Sequence, residues 1–128
     1  MRFVVADRQP STRSALKLLI EQNPDMEYAG AAADTESLLK LAESAKPDLL
    51  LVEWELLSAR PKDSLTAIKQ IGRVVVVVLS CCLDRSVPLE MGADYYVSKV
   101  EKPERLIGII QEIRRHFEAR SATKTQSG

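Results

Sequence analysis

The sequence predicts a doubly wound α/β domain, with one sheet of five parallel strands and helices on both faces. Short apolar segments alternate five times with longer segments of helical periodicity, which is typical of strands joined by helical crossovers. The segments "DLLLVE" and "RVVVVVLS" are continuously apolar rather than alternating, which indicates strands buried on both faces. The 128 residues suit one domain with a single core.

The strands are predicted from apolar and β-branched runs bounded by charged or turn residues. Five consecutive valines make the fourth strand the clearest, because stiff branched side chains favour extended backbone. The second strand, rich in alanine and glycine, is the weakest. In chain order the predicted strands are Arg2–Ala6, Glu27–Ala32, Asp48–Glu53, Arg73–Ser80 and Asp94–Ser98.

The helices are predicted from apolar residues that recur every three or four positions and from residues that cap helix ends. Asp34 is a candidate N-cap, Gly92 a candidate C-terminal stop, and the apolar stripe of the last helix extends to Phe117. The predicted helices run from Pro10 to a stop at Asn23-Pro24, from Asp34 to Ala45, from Asp63 to Gln70, from Arg85 to Met91 and from Pro103 to about Arg120.

The bulk composition excludes several classes of protein. Lys+Arg and Asp+Glu both number 18, which argues against direct nucleic-acid binding as the main task. The longest apolar run, Val74–Leu79, is far short of the roughly 20 residues of a membrane helix, and "MRFVVADR" is too short for a signal peptide. We therefore expect a cytoplasmic protein that does not bind membranes.

Two further segments are interpreted from composition alone. The adjacent Cys81 and Cys82 match neither a disulfide framework nor a metal motif, and we interpret them as reduced thiols at a strand end. The tail "SATKTQSG" is small and polar. We therefore expect a domain over residues 1–120 and a disordered tail or linker over 121–128.

Polar and charged side chains follow four of the predicted strands. Asp7 and Arg8 follow the first strand, Glu53 ends the third, Ser80 ends the fourth and Lys99 follows the fifth. Ligands of open parallel sheets bind at the carboxyl ends of the strands. The sequence therefore predicts the functional site among these residues.

Five segments, in order, resemble the receiver domain of bacterial two-component response regulators over residues 2 to 120. They are "VVADRQP", "PDLLLVE", "VVVVLS", "GADYYVSK" and "KPERLIGIIQEI". The resemblance implies a flavodoxin-like strand order 2-1-3-4-5 and a signalling module rather than an enzyme.

The resemblance also implies a role for each matching position. An aspartate at position 53 would accept a phosphoryl group from a histidine kinase, and acids at positions 7 and 8 would hold Mg²⁺. Ser80 would contact a phosphoryl oxygen and Lys99 would pair with the phosphoryl group. Tyr96 matches the aromatic position that reorients on activation.

This chain departs from the pattern at two central positions. Glu53 stands at the phosphoacceptor position, and Arg8 replaces the second acid of the pair. Two carboxylates then face two cations, a net charge of zero, whereas the standard site has a net of minus two. Mg²⁺ prefers carboxylate oxygens, so we expect neither a metal nor a cofactor at this site. Asp7 is the one candidate metal ligand, and Mg²⁺ would bind only if the site were not degenerate.

Several roles stay open at this point. Glu53 has three possible roles. It is either a plain strand-end carboxylate paired with Lys99, or a partial imitation of the phosphorylated state that Lys99 and Ser80 hold, or a working phosphoacceptor. Arg8 points either into the metal position or to solvent. Of Tyr95 and Tyr96, which alternate along a strand, one is expected in the core and the other at the surface.

The leading functional hypothesis is a degenerate receiver that works without phosphorylation. It would bind a protein partner, or a second copy, through the last helices and the fifth strand. The alternative is a working phosphorelay receiver that accepts phosphate from a histidine kinase, as the N-terminal part of a transcriptional regulator. The third hypothesis is an enzyme or a nucleotide binder on a flavodoxin-like fold, because "PSTRS" offers hydroxyls at a helix N-terminus, but no Gly-rich loop accompanies it.

Overall fold

The protein folds into the predicted sheet, as seen in a computed structural model that describes residues 1–57, 60–81, 84 and 86–127, with side chains through residue 119. All neighbouring strands are parallel and their order is β2-β1-β3-β4-β5, which confirms the predicted fold class and strand order. The strands are β1 Arg2–Ala6, β2 Glu27–Ala32, β3 Leu49–Glu53, β4 Val75–Ser80 and β5 Tyr95–Ser98.

The helices follow the predicted order. They are α1 Pro10–Glu21, α2 Thr35–Ala45, α3 Pro61–Ile71, α4 Ser86–Glu90 and α5 Pro103–Ser127, and a 3₁₀ turn covers Trp54–Leu57. The Asp34 side chain caps α2 by accepting from the Ser37 amide at 2.7 Å, as predicted. Helix α3 begins two residues earlier than predicted, because Pro61 is tolerated in the first turn, where a backbone N–H would have no acceptor within the helix. The predicted start of α4 at Arg85 lies outside the described residues.

Two hydrophobic clusters, one on each face of the sheet, form the core. Alternate residues of the central strands point to opposite faces, so that Leu50 lies in the cluster covered by α2 and α3, and Leu51 in the cluster covered by α1 and α5. Both leucines are at most 1% exposed. Burying each such side chain contributes about 1.5–3 kcal/mol, which explains why the continuous apolar runs were good predictors of central strands.

Helix α5 differs from the prediction at its C-terminal end. Its backbone is helical to Ser127, whereas the sequence predicted a helix to about Arg120 followed by disorder. The segment contains alanine, lysine and glutamine, which favour helix, and no proline or glycine before Gly128. The assignment of 121–128 as a linker rather than part of the domain stays a prediction.

The buried face of α5 is also shorter than predicted. Ile113 is 3% exposed but Phe117, one turn later, is 39% exposed, so the apolar stripe ends at Ile113. In the described part of the chain, no helix is both long enough and apolar enough to cross a membrane.

The strand register brings the carboxyl ends of the central strands together. Ala6 pairs with Val52, Glu53 pairs with Leu79, and Ser80 pairs with Ser98. The residues that follow β1 and β5 therefore lie at the same edge of the sheet as the last residues of β3 and β4.

The edge strand β2 contains an irregularity at Gly30. The β1–β2 register shifts between Phe3 and Val4, and Gly30 adopts φ 144°, a conformation that favours glycine. A Cβ atom at Gly30 would lie 3.0 Å from Cδ1 of Leu41. The backbone conformation therefore favours glycine at this position, and a larger residue would also have to displace the Leu41 side chain by a few tenths of an ångström.

We predict that Gly30→Ala destabilises the protein by about 1–3 kcal/mol, because it combines backbone strain with a close contact to Leu41. Gly108→Ala in α5 is the matched control, since its Cβ would meet nothing within 4 Å. The control should stabilise by about 0.5–1 kcal/mol, as alanine favours helix. Urea unfolding measures both; equal free energies for the two variants would contradict this account.

Candidate functional site

The candidate site is a network of ion pairs at the carboxyl edge of the sheet. Asp7 and Glu53 are the two buried carboxylates of the described residues, 1% and 4% exposed. Arg8 and Lys99 are the cations that contact them. β1, β3 and β5 thus each supply at least one charge, and four of the six residues predicted from the sequence meet in one network.

Glu53 is bound by Arg8 through both carboxylate oxygens. The Arg8 Nε donates to Oε1 at 2.9 Å and Nη2 donates to Oε2 at 3.2 Å, a bidentate pair. The Arg8 backbone amide also donates to Oε1, at 3.1 Å. The Arg8 side chain is therefore directed at Glu53 rather than away from the site, although it remains 57% exposed.

Lys99 connects the two carboxylates. Its Nζ donates to Oδ2 of Asp7 at 2.9 Å and to Oε2 of Glu53 at 3.1 Å. The other oxygen of Asp7, Oδ1, accepts from the Gln9 amide at 2.8 Å, at the start of α1. Each of the four carboxylate oxygens thus accepts at least one hydrogen bond from this chain.

The network shifts the ionisation of its members. Burial on its own would raise the pKa of Glu53, but hydrogen bonds from Arg8 and Lys99, with the charge of Lys99, lower it to about 2. Burial likewise acts to lower the pKa of Lys99, and the hydrogen bonds to Asp7 and Glu53 outweigh it, so this pKa is raised. The hydrogen bond to Glu53 raises the pKa of Arg8. All three groups are charged at neutral pH.

The donor set does not fit Mg²⁺, the ion that the resemblance would imply. Arg8 stands where a second acidic ligand would be, and both oxygens of Glu53 already accept from its guanidinium. The Asp7 oxygens accept from Gln9 and Lys99. The two carboxylates and two cations sum to zero charge, whereas a hard divalent cation requires oxygen ligands that carry net negative charge.

The Ser80 hydroxyl does not bind Glu53, contrary to the expectation from the sequence. It donates instead to Oε1 of Glu55, at 2.7 Å. Glu55 lies in the 3₁₀ turn, two residues after Glu53, and was not singled out in the sequence. The signal available was an acid in the loop at the strand end, but only the turn geometry directs its carboxylate to β4.

Tyr96 contacts the site through Ser80. Its hydroxyl donates to the Ser80 carbonyl at 3.3 Å. Tyr95 and Tyr96 are both half-buried, packed against opposite hydrophobic clusters, so the expected division into one core and one surface tyrosine is wrong. Both faces of β5 are covered, so a side chain pointing in either direction is at least partly buried.

Trp54 and Cys81, which follow Glu53 and Ser80 in the chain, take no part in the network as the structure describes it. Trp54 packs against the cluster that contains Leu50. Cys81 is a free, exposed thiol, and Cys82 lies outside the described residues. Among the residues that the structure describes, no group of three or more His, Cys, Asp or Glu is arranged to hold a metal ion.

Curated proteins similar to this chain include a response regulator and a transcriptional regulatory protein. The nitrate/nitrite response regulator protein NarL of Escherichia coli K12 is 31% identical over 114 residues, covering 86% of this chain and 53% of NarL. The transcriptional regulatory protein YhcZ of Bacillus subtilis is 32% identical over 114 residues, covering 84% of this chain and 52% of YhcZ. The chain thus spans about half the length of these relatives.

The fold agrees with solved structures of the same kind. The isolated receiver domain of RcsB from Salmonella enterica serovar Typhimurium, solved with phosphomimetic BeF₃⁻, superposes with a TM-score of 0.80 at 16% identity, covering 90% of this chain and 88% of that one. The profile of the response regulator receiver domain matches residues 3–111 of this chain, most of its length. The chain therefore belongs to the response regulator receiver domain family of two-component signalling.

Proposed function

We propose that this chain is an atypical receiver domain, a module for protein interaction that signals without being phosphorylated. The observation that carries the proposal is the Arg8–Glu53 ion pair, in which a guanidinium of the chain itself binds both oxygens of the carboxylate at the phosphoacceptor position. We propose no catalytic activity for the chain itself.

The ion pair opposes phosphorylation in two ways. A carboxylate attacks phosphorus through an oxygen lone pair, and here both oxygens of Glu53 accept hydrogen bonds from Arg8 or Lys99. The depressed pKa of Glu53, about 2, reflects the same stabilisation of its charge. The site would also lack the metal ion that offsets the negative charge of the phosphoryl donor during phosphoryl transfer.

The Glu53 side chain resembles a bound phosphate in one respect. It is one methylene longer than aspartate, so its carboxylate extends about 1.5 Å further from the strand. There it accepts from Lys99 at 3.1 Å, the contact that the family reserves for the phosphoryl group. This supports the interpretation of Glu53 as a built-in, partial imitation of the phosphorylated state.

We assign the partner surface to α4, β5 and α5. Leu89 of α4 is 36% exposed and Val100, between β5 and α5, is 78% exposed. Val100 directly follows Lys99, so this surface is continuous with the ion-pair network. A protein partner or a second copy of the chain would bind there, in the cytoplasm, where two-component regulators act.

A second candidate is a working phosphorelay receiver at the N-terminal end of a transcriptional regulator. The relatives favour it, because the chain covers only 53% of NarL and 52% of YhcZ. In that case a histidine kinase would phosphorylate the chain, with Glu53 as the acceptor, and the remaining part of the protein would bind DNA.

We predict that acetyl phosphate or phosphoramidate with Mg²⁺ does not phosphorylate the native chain, because Arg8 replaces a metal-binding acid of the family pattern and binds both oxygens of Glu53. Intact-mass spectrometry measures this. The Arg8→Asp/Glu53→Asp double variant should gain Mg²⁺ binding and a stable addition of one phosphoryl group, since it restores three carboxylates facing one lysine.

The Glu53→Asp single variant separates the effect of the glutamate from that of Arg8. Glu53→Asp alone should remain unphosphorylated, because Arg8 still prevents Mg²⁺ binding. A stoichiometric phosphorylated species of the native chain would disprove phosphorylation independence. Mapping of that phosphate to Glu53 would establish the second candidate.

We predict that the ion pairs of Glu53 stabilise the fold above about pH 5 and lose this effect as the pH falls toward 2. The pKa of Glu53 is about 2 in the folded chain and 4.5 for a free glutamate, so the unfolded state binds more protons between these values. At pH 7, Glu53→Gln should lower the free energy of unfolding by on the order of 2 kcal/mol, allowing for solvent screening at exposed Arg8.

Urea unfolding at pH 7, 5 and 3 tests this pH dependence. The difference between the native chain and Glu53→Gln should shrink as the pH falls. Glu36→Gln is the control, because Glu36 forms an exposed ion pair within α2 and its side chain is 81% exposed. A difference that stays constant from pH 7 to pH 3 would contradict the assignment.

A further inference from the structure

Ser80 joins the 3₁₀ turn to β5. Its hydroxyl donates to Oε1 of Glu55 at 2.7 Å. Its carbonyl accepts from the Lys99 amide at 2.9 Å and from the Tyr96 hydroxyl at 3.3 Å. Ser80 is 1% exposed. A single buried residue therefore links Glu55 to Tyr96 of β5 and to Lys99, which belongs to the ion-pair network.

The direction of the Glu55 carboxylate is set by the turn that carries it. Glu55 is exposed, but the next two residues, Leu56 and Leu57, are 3% and 1% exposed and anchor the turn in the core. The Thr35 hydroxyl donates to the Leu56 carbonyl at 2.9 Å and connects the turn to α2. With its backbone held in this way, Glu55 reaches Ser80 through a short charge-assisted hydrogen bond.

We propose that Glu55 is a positioning residue that acts through Ser80, and that Glu53 and Glu55 together form an internal substitute for a phosphoryl group. Glu53 contacts Lys99 and Glu55 contacts the Ser80 hydroxyl. One carboxylate carries a single negative charge, whereas a phosphoryl group carries nearly two. Two carboxylates supply both the charge and the second contact that Glu53 lacks. This inference rests on the function proposed above.

The arrangement predicts energetic coupling between Glu55 and β5. Loss of the Glu55 carboxylate leaves the buried Ser80 hydroxyl without this acceptor, and Ser80 then rotates or shifts to find another. Because the Ser80 carbonyl accepts from Lys99 and Tyr96, the shift reaches both of these residues. Glu55 thereby holds the β5 surface in one conformation.

NMR spectroscopy of the full chain tests the coupling. In Glu55→Ala, hydrogen exchange of the Lys99 amide should be about tenfold faster, the equivalent of one charge-assisted hydrogen bond, and the Tyr96 ring signals should shift. Ser80→Ala should give the same changes. The double variant should add nothing to either single variant, because both remove the same hydrogen bond.

Two further variants separate positioning from a general loss of stability. Glu55→Gln retains an acceptor oxygen and should return the Tyr96 signals toward their native positions. Glu43→Ala, at an exposed glutamate of α2, is the control and should leave both readouts unchanged.

Unchanged Lys99 exchange and Tyr96 signals in Glu55→Ala would overturn the proposal, as would additive effects in the double variant. Neither measurement uses a phosphoryl donor. The coupling is therefore decided separately from phosphorylation independence, which the mass measurement on the native chain decides.

Discussion

The buried carboxylate of Glu53 constrains the rest of the site. A charge that is 4% exposed is costly unless it is paired and hydrogen-bonded, and here Arg8 and Lys99 supply four hydrogen bonds from two other strand ends. Removal of either cation would leave a buried charge undercompensated. The network thus joins β1, β3 and β5 at one edge of the sheet, where the parallel register has already brought their ends together.

The sheet makes this pairing possible because it leaves little freedom to the strand ends. β3 and β4 are covered on both faces, and Leu51 and Val77 at their centres are fully buried. A shift of one residue in β3 would exchange its two faces and move Glu53 away from Arg8. The register set by the apolar core therefore also sets the distances within the ion-pair network. β3 thus both contributes to the hydrophobic core and positions Glu53 in the ion-pair network.

The sequence predicted the sheet well because each strand was marked locally, by a valine or leucine run and by the turn residues around it. It also predicted that Asp7, Arg8, Glu53 and Lys99 would meet, since each of them ends or follows a parallel strand. The contact between Ser80 and Glu55 was not predictable in this way. It depends on where a 3₁₀ turn directs an exposed side chain, and turn geometry follows from tertiary anchors such as Leu57 rather than from local pattern. The C-terminal extent of α5 was missed for a different reason. The prediction of disorder rested on polar composition, but polar composition alone does not exclude a helix.

A receiver domain signals by changing the populations of two conformations, and a ligand shifts them only by its different affinity for each. Under the function proposed here, Arg8 and Lys99 bind the carboxylate of Glu53 in place of an external phosphate, so Glu53 and its partners would set the populations at rest. If Glu53 and Glu55 hold Lys99 and Ser80 as a phosphoryl group would, the active-like conformation is the resting one. Partner binding at the β5 surface would then be regulated by the amount of chain synthesised or by competition among its partners. On this proposal, loss of phosphoryl chemistry would leave the interaction surface functional and would change only what regulates it.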